Sequence, residues 1–246
     1  MSIPNLPGDG RRARIGMVIP SVNTVMEPWA MRVVPDGVSV HFARMFIPPE
    51  TTAETLIEMD RTDGRSANRQ LASVMPHAVA YGCTASSIVQ GLEYDAHLRS
   101  EIAEDCKVPA TTAAHAIMTA LRTLGAGRIS LVSPYPPNID EAEHRFFETA
   151  GFEVVGGACL GIADGFRLAE PDRDEIVELG MRGCADDAQA LVVSCLNFRS
   201  HAAIATLEEK LGRPVVSSTQ ATLWHALRLA GIEDPVHGMG VLFERH

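Results

Sequence analysis

A strand pattern that ends in proline occurs twice in this sequence, and the same landmarks follow it each time. Residues 14–20 read RIGMVIP and residues 128–134 read RISLVSP, which places Pro20 in correspondence with Pro134. Two further pairs recur in the same order with similar spacing, namely Cys83 with Cys195 and Pro109 with Pro214. A period of about 110 residues is too long for a solenoid and indicates two duplicated halves.

Short apolar runs alternate with helical patterns throughout both halves. Strands are predicted at residues 15–19, 38–42, 78–82, 109–112, 128–133, 152–158, 190–194 and 215–217. This alternation is typical of α/β proteins, in which helices cover both faces of parallel sheets. We therefore expect two pseudo-symmetric, doubly wound parallel-sheet halves with the active site in the cleft between them. The expected organisation is a flexible lead at 1–14, a first half at 15–125 and a second half at 126–246, packed as one compact unit.

Helical patterns fill the intervals between these strands. The pattern at residues 52–74 contains Asp63 and Gly64 near its middle and is interpreted as two short helices. One helix is expected to begin near Glu27 and Pro28. Further helices are predicted at 96–106, 113–124, 139–150, 173–185, 201–211 and 219–230.

Charge and cysteine content limit the possible classes of function. The chain has 21 Lys and Arg against 31 Asp and Glu, and its net charge of −10 is unsuited to binding nucleic acid through phosphates. No apolar run is long enough to span a membrane, and residues 1–10 lack a signal-peptide profile. Five cysteines without metal-ligand spacing argue against a disulfide framework and a zinc site. A soluble cytoplasmic protein is expected.

Cys83 and Cys195 each follow an apolar strand at the point where a helix is expected to begin. Ligands bind at this edge of open α/β sheets, and the N–H groups of a following helix favour thiolate over thiol. Cys83 is therefore a candidate nucleophile, and both cysteines are expected to alkylate quickly near neutral pH. The remaining cysteines are interpreted as packing residues, namely Cys106, Cys159 and Cys184.

No cofactor fingerprint is visible. The glycines of residues 156–161 lack both dinucleotide-loop spacing and a P-loop lysine, and no Ser-His-Asp order of a hydrolase is found. Histidines near element ends are expected to cap helices or lie at the surface, namely His77, His144 and His201. Neutral polar residues follow the strands, namely Ser21, Asn23, Thr24, Thr84, Ser86, Ser87, Tyr135, Asn138 and Asn197. Such donors can hold a carboxylate or a developing enediolate.

Two cysteines on opposite sides of a substrate carbon permit two mechanisms. One thiolate can remove a proton while the other thiol delivers one to the opposite face, which is racemisation. Alternatively, one thiolate can add to an activated double bond while the other group handles the proton, which permits rotation and re-elimination. A non-catalytic protein that binds small carboxylates is a third interpretation.

Several of these residues together resemble a known family. Residues 20–24 (PSVNT) with Glu27, the cysteine after the third strand, residues 133–135 (SPY) and Cys195 resemble the aspartate/glutamate racemase superfamily, in its branch of maleate cis-trans isomerases and arylmalonate decarboxylases. The resemblance covers about residues 14–230. It implies two pseudo-symmetric α/β halves, no cofactor or metal, a small carboxylate substrate and a homodimer or higher homo-oligomer.

The same resemblance implies a role for each site residue. Cys83 would add to the alkene of maleate, and Cys195 would donate and accept the proton. The carboxylates would be held by side chains and by the amides around two of the positions. The substrate-binding residues would be Asn23, Thr84, Tyr135, Leu196 and Asn197.

The sequence departs from the branch in two places. Its decarboxylases resemble this chain but keep only the second-half cysteine, so Cys83 argues against decarboxylation. An expected Asp-Asn pair is replaced by Asp164 and Gly165, which removes one carboxylate donor. Residues 195–199 (CLNFR) also resemble the ectoine-utilisation branch, which implies a racemase of an amino-acid derivative. The leading expectation is a cofactor-independent isomerase of a small dicarboxylate; a racemase, a decarboxylase-like enzyme and a carboxylate-binding protein are the alternatives.

Overall fold

Two four-stranded parallel sheets form the frame of the molecule in a computed structural model that describes residues 9–246. The first sheet has the order β2-β1-β3-β4, with β1 (Ala13–Pro20), β2 (Val38–Met45), β3 (Ala78–Tyr81) and β4 (Ala110–Thr112). The second has the order β6-β5-β7-β8, with β5 (Arg128–Ser133), β6 (Glu153–Cys159), β7 (Ala190–Val193) and β8 (Val215–Ser217). The identical strand orders confirm the predicted duplication and the α/β class.

Helices connect the strands in both halves. They are α1 (Met26–Val33), α2 (Ala53–Ala72), α3 (Thr84–Gln90), α4 (Leu92–Cys106), α5 (Ala113–Thr123), α6 (Pro137–Thr149), α7 (Arg173–Gly183), α8 (Ile204–Leu211), α9 (Ser218–Leu229) and α10 (Gly240–Arg245). Reciprocal capping boxes begin three of them, formed by Thr52 with Thr55, Asp172 with Glu175 and Ser217 with Gln220. Helix α10 was not predicted. Among the described residues, no helix is long and apolar enough to cross a membrane.

Helix α2 runs without interruption through Asp63 and Gly64, so the predicted break is wrong. The apolar face of α2 packs against β1 and β2, and this burial outweighs the weak helix propensity of one glycine. The Asp63 carboxylate has a different role, because it accepts a hydrogen bond of 2.6 Å from the backbone N–H of Phe46. It therefore ties the middle of α2 to the segment that follows β2.

The two halves share their hydrophobic core. Helix α5 packs against α9, and each of these helices also contacts the sheet of the other half, α9 at β3 and β4 and α5 at β8. One continuous cluster consequently contains Ile15 and Ile117 together with Val192 and Leu223. The boundary between residues 125 and 126 remains a prediction, because halves with a common core do not separate into units. Residues 1–8 of the predicted lead lie outside the described residues.

Replacing Gly64 by alanine tests the continuity of α2. We expect Gly64→Ala to raise the free energy of unfolding by about 0.5–1 kcal/mol, because alanine is the better helix former and its Cβ would meet no atom within 4 Å. Gly91 is a matched control with an equally open site but a φ of 88°, so Gly91→Ala should destabilise. Chemical denaturation measures both changes, and a destabilised Gly64→Ala protein would contradict the continuous helix.

Candidate active site

One cavity lies at the carboxyl ends of the central strands of both sheets, and its empty space including the open mouth is about 400 Å³. The cavity brings together all seven residues selected from the sequence, namely Cys83, Cys195, Asn23, Thr84, Tyr135, Leu196 and Asn197. The two thiols therefore line one small cavity together with neutral hydrogen-bond donors.

Gly82 allows the two halves to approach each other at this point. A Cβ atom at Gly82 would lie 2.9 Å from a methyl carbon of Leu196 in the second half and 2.9 Å from one of Ile19 in the first. Either distance is shorter than a real side chain permits, so glycine is required where β3 ends. The side chain of Leu196 thus forms an apolar wall between β3 and β7, the strands that precede the two cysteines. Its backbone amide is a separate candidate hydrogen-bond donor.

Cys83 lies directly before helix α3 in an extended conformation. Its sulfur is within reach of the backbone N–H of Ser86 in the first turn of that helix. The next residue, Thr84, donates its hydroxyl hydrogen to the hydroxyl oxygen of Ser218 at 3.1 Å. Since Ser218 begins α9, this hydrogen bond joins α3 to the second half.

Cys195 has a different backbone geometry. Its φ is +83°, in the left-handed region that residues other than glycine rarely adopt, and such strain costs about 1–3 kcal/mol. A turn and the 3₁₀ segment Ser200–Ala202 follow it, and α8 begins only at Ile204, so the predicted helix start at Cys195 is wrong. Strained residues of this kind concentrate at functional sites, and no sequence signal reveals them.

Burial favours the protonated form of both thiols, contrary to the expected thiolates. Burial raises the pKa of Cys195 to about 12, although the Tyr135 hydroxyl and the Asn197 N–H act in the opposite direction. Burial, followed by the charge of Asp60, raises the pKa of Cys83 still further. The two cysteines are 7% and 3% exposed, so the loss of water outweighs the helix and hydrogen-bond donors.

Asp60 organises the region behind Cys83. Its carboxylate accepts hydrogen bonds from the hydroxyls of Tyr81 and Ser86, from the Tyr94 hydroxyl at 2.7 Å and from the Gln90 amide at 3.0 Å. Burial raises the pKa of Asp60 despite these four donors. No sequence signal pointed to Asp60, because a single aspartate on a helical pattern does not reveal its hydrogen-bond partners.

Glu143 is the corresponding buried acid near Cys195. It lies on α6 and accepts a hydrogen bond from the hydroxyl of Ser194, the residue before the cysteine. Burial raises the pKa of Glu143 to about 8, and its other carboxylate oxygen has no hydrogen-bond partner among the described residues. Glu143 therefore places a buried acid with a raised pKa at the carboxyl end of β7, directly before Cys195, and no sequence signal pointed to it.

Asn23 lines the cavity and also binds the backbone of its own loop. Its side-chain oxygen accepts hydrogen bonds from the backbone N–H groups of Val25 and Met26, at 3.0 and 2.9 Å. These bonds fix the orientation of the amide and leave its N–H groups as the donors that Asn23 can offer to a carboxylate.

Both polar atoms of the Asn197 side chain form hydrogen bonds within the protein. Its oxygen accepts from the N–H of Thr24 at 2.9 Å, and its amide nitrogen donates to the carbonyl oxygen of Gly165 at 2.8 Å. The amide cannot also bind substrate without giving up these bonds. Asn197 therefore contributes to the site through its backbone N–H near Cys195 and by joining loops from both halves.

Two loop segments cover the cavity, one from each half. The N–H of Thr51 donates to the carbonyl of Ala163 at 3.1 Å, and the N–H of Gly165 donates to the carbonyl of Pro49 at 2.8 Å. A Cβ at Gly165 would lie 2.8 Å from the hydroxyl oxygen of Thr51. A side chain at this position would therefore require the Thr51 hydroxyl to move. The two segments follow β2 and β6, so the internal repeat was the signal that could have paired them.

The cavity wall carries no cationic side chain among the described residues. Its polar groups are the neutral amide, hydroxyl and thiol groups that the sequence predicted, surrounded by apolar side chains. Residues 9–246 also contain no group of three or more His, Cys, Asp or Glu side chains that could hold a metal ion. All five cysteines are free.

Comparison with known proteins identifies the family. The arylmalonate decarboxylase (Amdase) family model matches residues 15–243. The chain belongs to this family. The maleate isomerase of Geobacillus stearothermophilus is 29% identical to it, over 93% of this chain and 96% of that protein. The arylmalonate decarboxylase of Bordetella bronchiseptica is also 29% identical, over 88% and 90% of the two chains.

Solved structures of both kinds of enzyme share the fold. A cysteine-to-alanine variant of the maleate isomerase of Pseudomonas putida S16, crystallised with maleate, has a TM-score of 0.89 at 25% identity and covers 94% of this chain and 97% of its own. A liganded arylmalonate decarboxylase variant, with one cysteine introduced and one removed, has a TM-score of 0.89 at 28% identity and covers 95% and 100%. The branch of the superfamily predicted from the sequence is confirmed.

Alkylation tests the protonation state of the cavity thiols. At neutral pH we expect Cys83 and Cys195 to react more slowly than the half-buried Cys159 and Cys184, because only a thiolate is nucleophilic. Their rates should rise with pH, since deprotonation increases as pH approaches a raised pKa. Iodoacetamide labelling with mass spectrometry of each cysteine peptide measures this order. Rapid labelling of Cys83 or Cys195 at neutral pH would show a stable thiolate instead.

Proposed function

We propose that this protein is a cofactor-independent isomerase that converts a small cis-dicarboxylate of the maleate class into its trans isomer. The observation that carries the proposal is the pair Cys83 and Cys195, contributed by different halves to one small cavity with neutral donors. Maleate isomerases of Geobacillus stearothermophilus and Pseudomonas putida KT2440, 29% and 28% identical, align with nearly the whole chain and support it.

The substrate carboxylates are held by neutral donors in an enclosed site. The amide of Asn23 and the hydroxyl of Tyr135 supply hydrogen bonds, together with backbone N–H groups around Cys83 and Cys195. Hydrogen bonds to charged oxygens strengthen where water is excluded. The same donors stabilise the enediolate that forms when the alkene accepts an electron pair.

The reaction uses a cysteine pair that has lost one proton. The Cys83 thiolate bonds to one alkene carbon, and the displaced electron pair moves toward the neighbouring carboxylate. The Cys195 thiol then protonates the second carbon and becomes a thiolate. Rotation follows about what is now a single bond. Cys195 takes a proton back from the second carbon, the carbon–sulfur bond breaks, and the trans alkene leaves with Cys83 again a thiolate.

Burial of the thiols contributes to this chemistry. The cavity disfavours a charged sulfur, as the raised pKa values of Cys83 and Cys195 show. A thioether carries no charge, so forming the adduct at Cys83 moves the negative charge to Cys195, where the Tyr135 hydroxyl and the Asn197 N–H stabilise the thiolate. The strain at Cys195 and the nearby Tyr135 hydroxyl hold the second sulfur in position to exchange a proton.

Assays with maleate and cysteine variants test the proposal. The protein should convert maleate to fumarate, Cys83→Ala should abolish turnover, and Cys195→Ala should lower kcat by about 10²–10⁴-fold, the range of general acid–base catalysis. Cys184→Ala, outside the cavity, is the control and should retain the rate. Proton NMR distinguishes the two isomers. Wild-type turnover by Cys83→Ala would exclude the thioether mechanism.

The competing activities give different products. Release of carbon dioxide from an arylmalonate would indicate decarboxylation, the activity named for the Bordetella bronchiseptica relative. Solvent deuterium at an α-carbon with loss of optical rotation would indicate racemisation. Two thiols in one cavity favour isomerisation over decarboxylation.

A cytoplasmic location and a homo-oligomeric state are further parts of the proposal. The five free thiols support the cytoplasmic location.

Gly165 tests which dicarboxylate the cavity prefers. We expect Gly165→Asn to lower KM for maleate by about tenfold, because a new amide would add one charge-assisted hydrogen bond. Gly165→Ala is the matched control: it adds the same Cβ near Thr51 without an amide and should not lower KM. Steady-state kinetics of the two variants measures the difference. Equal KM values would show that no second carboxylate reaches this position.

A further inference from the structure

A second cavity, of about 650 Å³, lies beside the reaction cavity. Thr24 and Val25 line it, whereas the residues just before them, Val22 and Asn23, line the reaction cavity. One loop therefore forms part of both walls. We call the second cavity the arginine cavity. Its lining residues are Thr24, Val25, Pro28, Trp29, Arg32, Arg199 and His201.

The arginine cavity concentrates positive charge in an acidic protein. Arg32 comes from the first half and Arg199 from the second, and neither forms an ion pair with any of the described residues. No acidic residue lines the cavity. The acidic residue of α1, Glu27, pairs with Arg44 at 2.5 Å instead. Two unpaired guanidinium groups at one cavity are unexpected in a chain with a net charge of −10.

Buried polar atoms without partners provide an independent observation. Trp29 is only 5% exposed, and its indole N–H has no hydrogen-bond partner among the described residues. The Nδ1 atom of His201 is also buried without a partner. The two rings stack with centroids 5.3 Å apart. Folded proteins leave few buried polar groups unpaired, so the indole N–H indicates a ligand with an acceptor oxygen. The neutral imidazole can donate from Nδ1 to the same ligand in one of its two tautomers.

The electrostatics of His201 agree with this interpretation. Burial, followed by the charges of Arg199 and Arg32, lowers the pKa of His201 to about 4. Both guanidinium groups are therefore close enough to the imidazole to repel its proton. A bound anion would offset that repulsion and accept hydrogen bonds from the same groups.

We propose that the arginine cavity binds a small oxyanion, either a phosphate or a carboxylate group of a metabolite, outside the reaction cavity. Guanidinium groups match such oxyanions with two parallel hydrogen bonds. The Thr24 hydroxyl is a further donor at the cavity wall. The site connects directly to the reaction cavity, because the Thr24 N–H donates to the side chain of Asn197. A bound oxyanion would thus hold the Asn23 loop against the turn that follows Cys195.

Tryptophan fluorescence of the full chain tests the proposal, because Trp29 is one of two tryptophans. Inorganic phosphate and acetate are titrated separately at constant ionic strength maintained with chloride. We expect a saturable change with at least one of them, and the tighter anion identifies the ligand class. The double variant Arg32→Gln/Arg199→Gln should bind it at least about tenfold more weakly, as expected when charge-assisted hydrogen bonds are lost.

Two controls make the result specific. Arg69→Gln/Arg182→Gln removes the same charge from exposed positions outside the cavity and should bind like wild type. Tyr135→Phe alters the reaction cavity and should also bind like wild type. The single variants Arg32→Gln and Arg199→Gln serve if the double variant does not fold, and each should weaken binding.

Three outcomes would overturn the proposal. The first is the absence of a saturable change with either anion. The second is equal affinity in wild type and in the arginine variants, which would show that the anion binds elsewhere. The third is loss of binding in Tyr135→Phe, which would place the anion in the reaction cavity. None of these outcomes bears on cis-trans isomerisation, which is measured separately with maleate.

Discussion

Close packing between the carboxyl ends of two parallel sheets is the constraint on which the site depends. Gly82 permits Leu196 to approach β3, and helices α5 and α9 each cross to the opposite sheet. Because the halves share a core, the free energy of folding also fixes the relative positions of Cys83 and Cys195. A duplicated fold thereby produces one asymmetric cavity from two similar strand ends.

The same packing raises the pKa values of the two cavity thiols. Removal of water raises the pKa of each thiol more than nearby N–H groups lower it. Buried acids, Asp60 and Glu143, reinforce this effect on either side. They come from α2 and α6, which are not equivalent positions of the repeat. The duplication therefore supplied the two cysteines, whereas each half developed its own surroundings.

The molecule places neutral and cationic polar groups at two neighbouring cavities. Neutral donors line the reaction cavity, where a fixed positive charge would hold substrate and product equally. Arg32 and Arg199 lie at the neighbouring cavity instead, within reach of solvent. The Asn197 side chain links the two regions, because it hydrogen-bonds to Thr24 and to Gly165 in the cover of the reaction cavity.

The sequence by itself determined the duplicated α/β fold and identified residues that line the cavity. Strand-end motifs repeat in order, and parallel strands bring their carboxyl ends together. It did not reveal the continuity of α2 through Gly64, since packing against a sheet overrides local propensity. Tertiary structure alone decided three further features. They are the raised pKa values of the thiols, the hydrogen bonds of the Asn197 side chain to Thr24 and Gly165, and the presence of Arg32 and Arg199 at one cavity. Each depends on which distant groups share a buried space, and burial is a property of the assembled core.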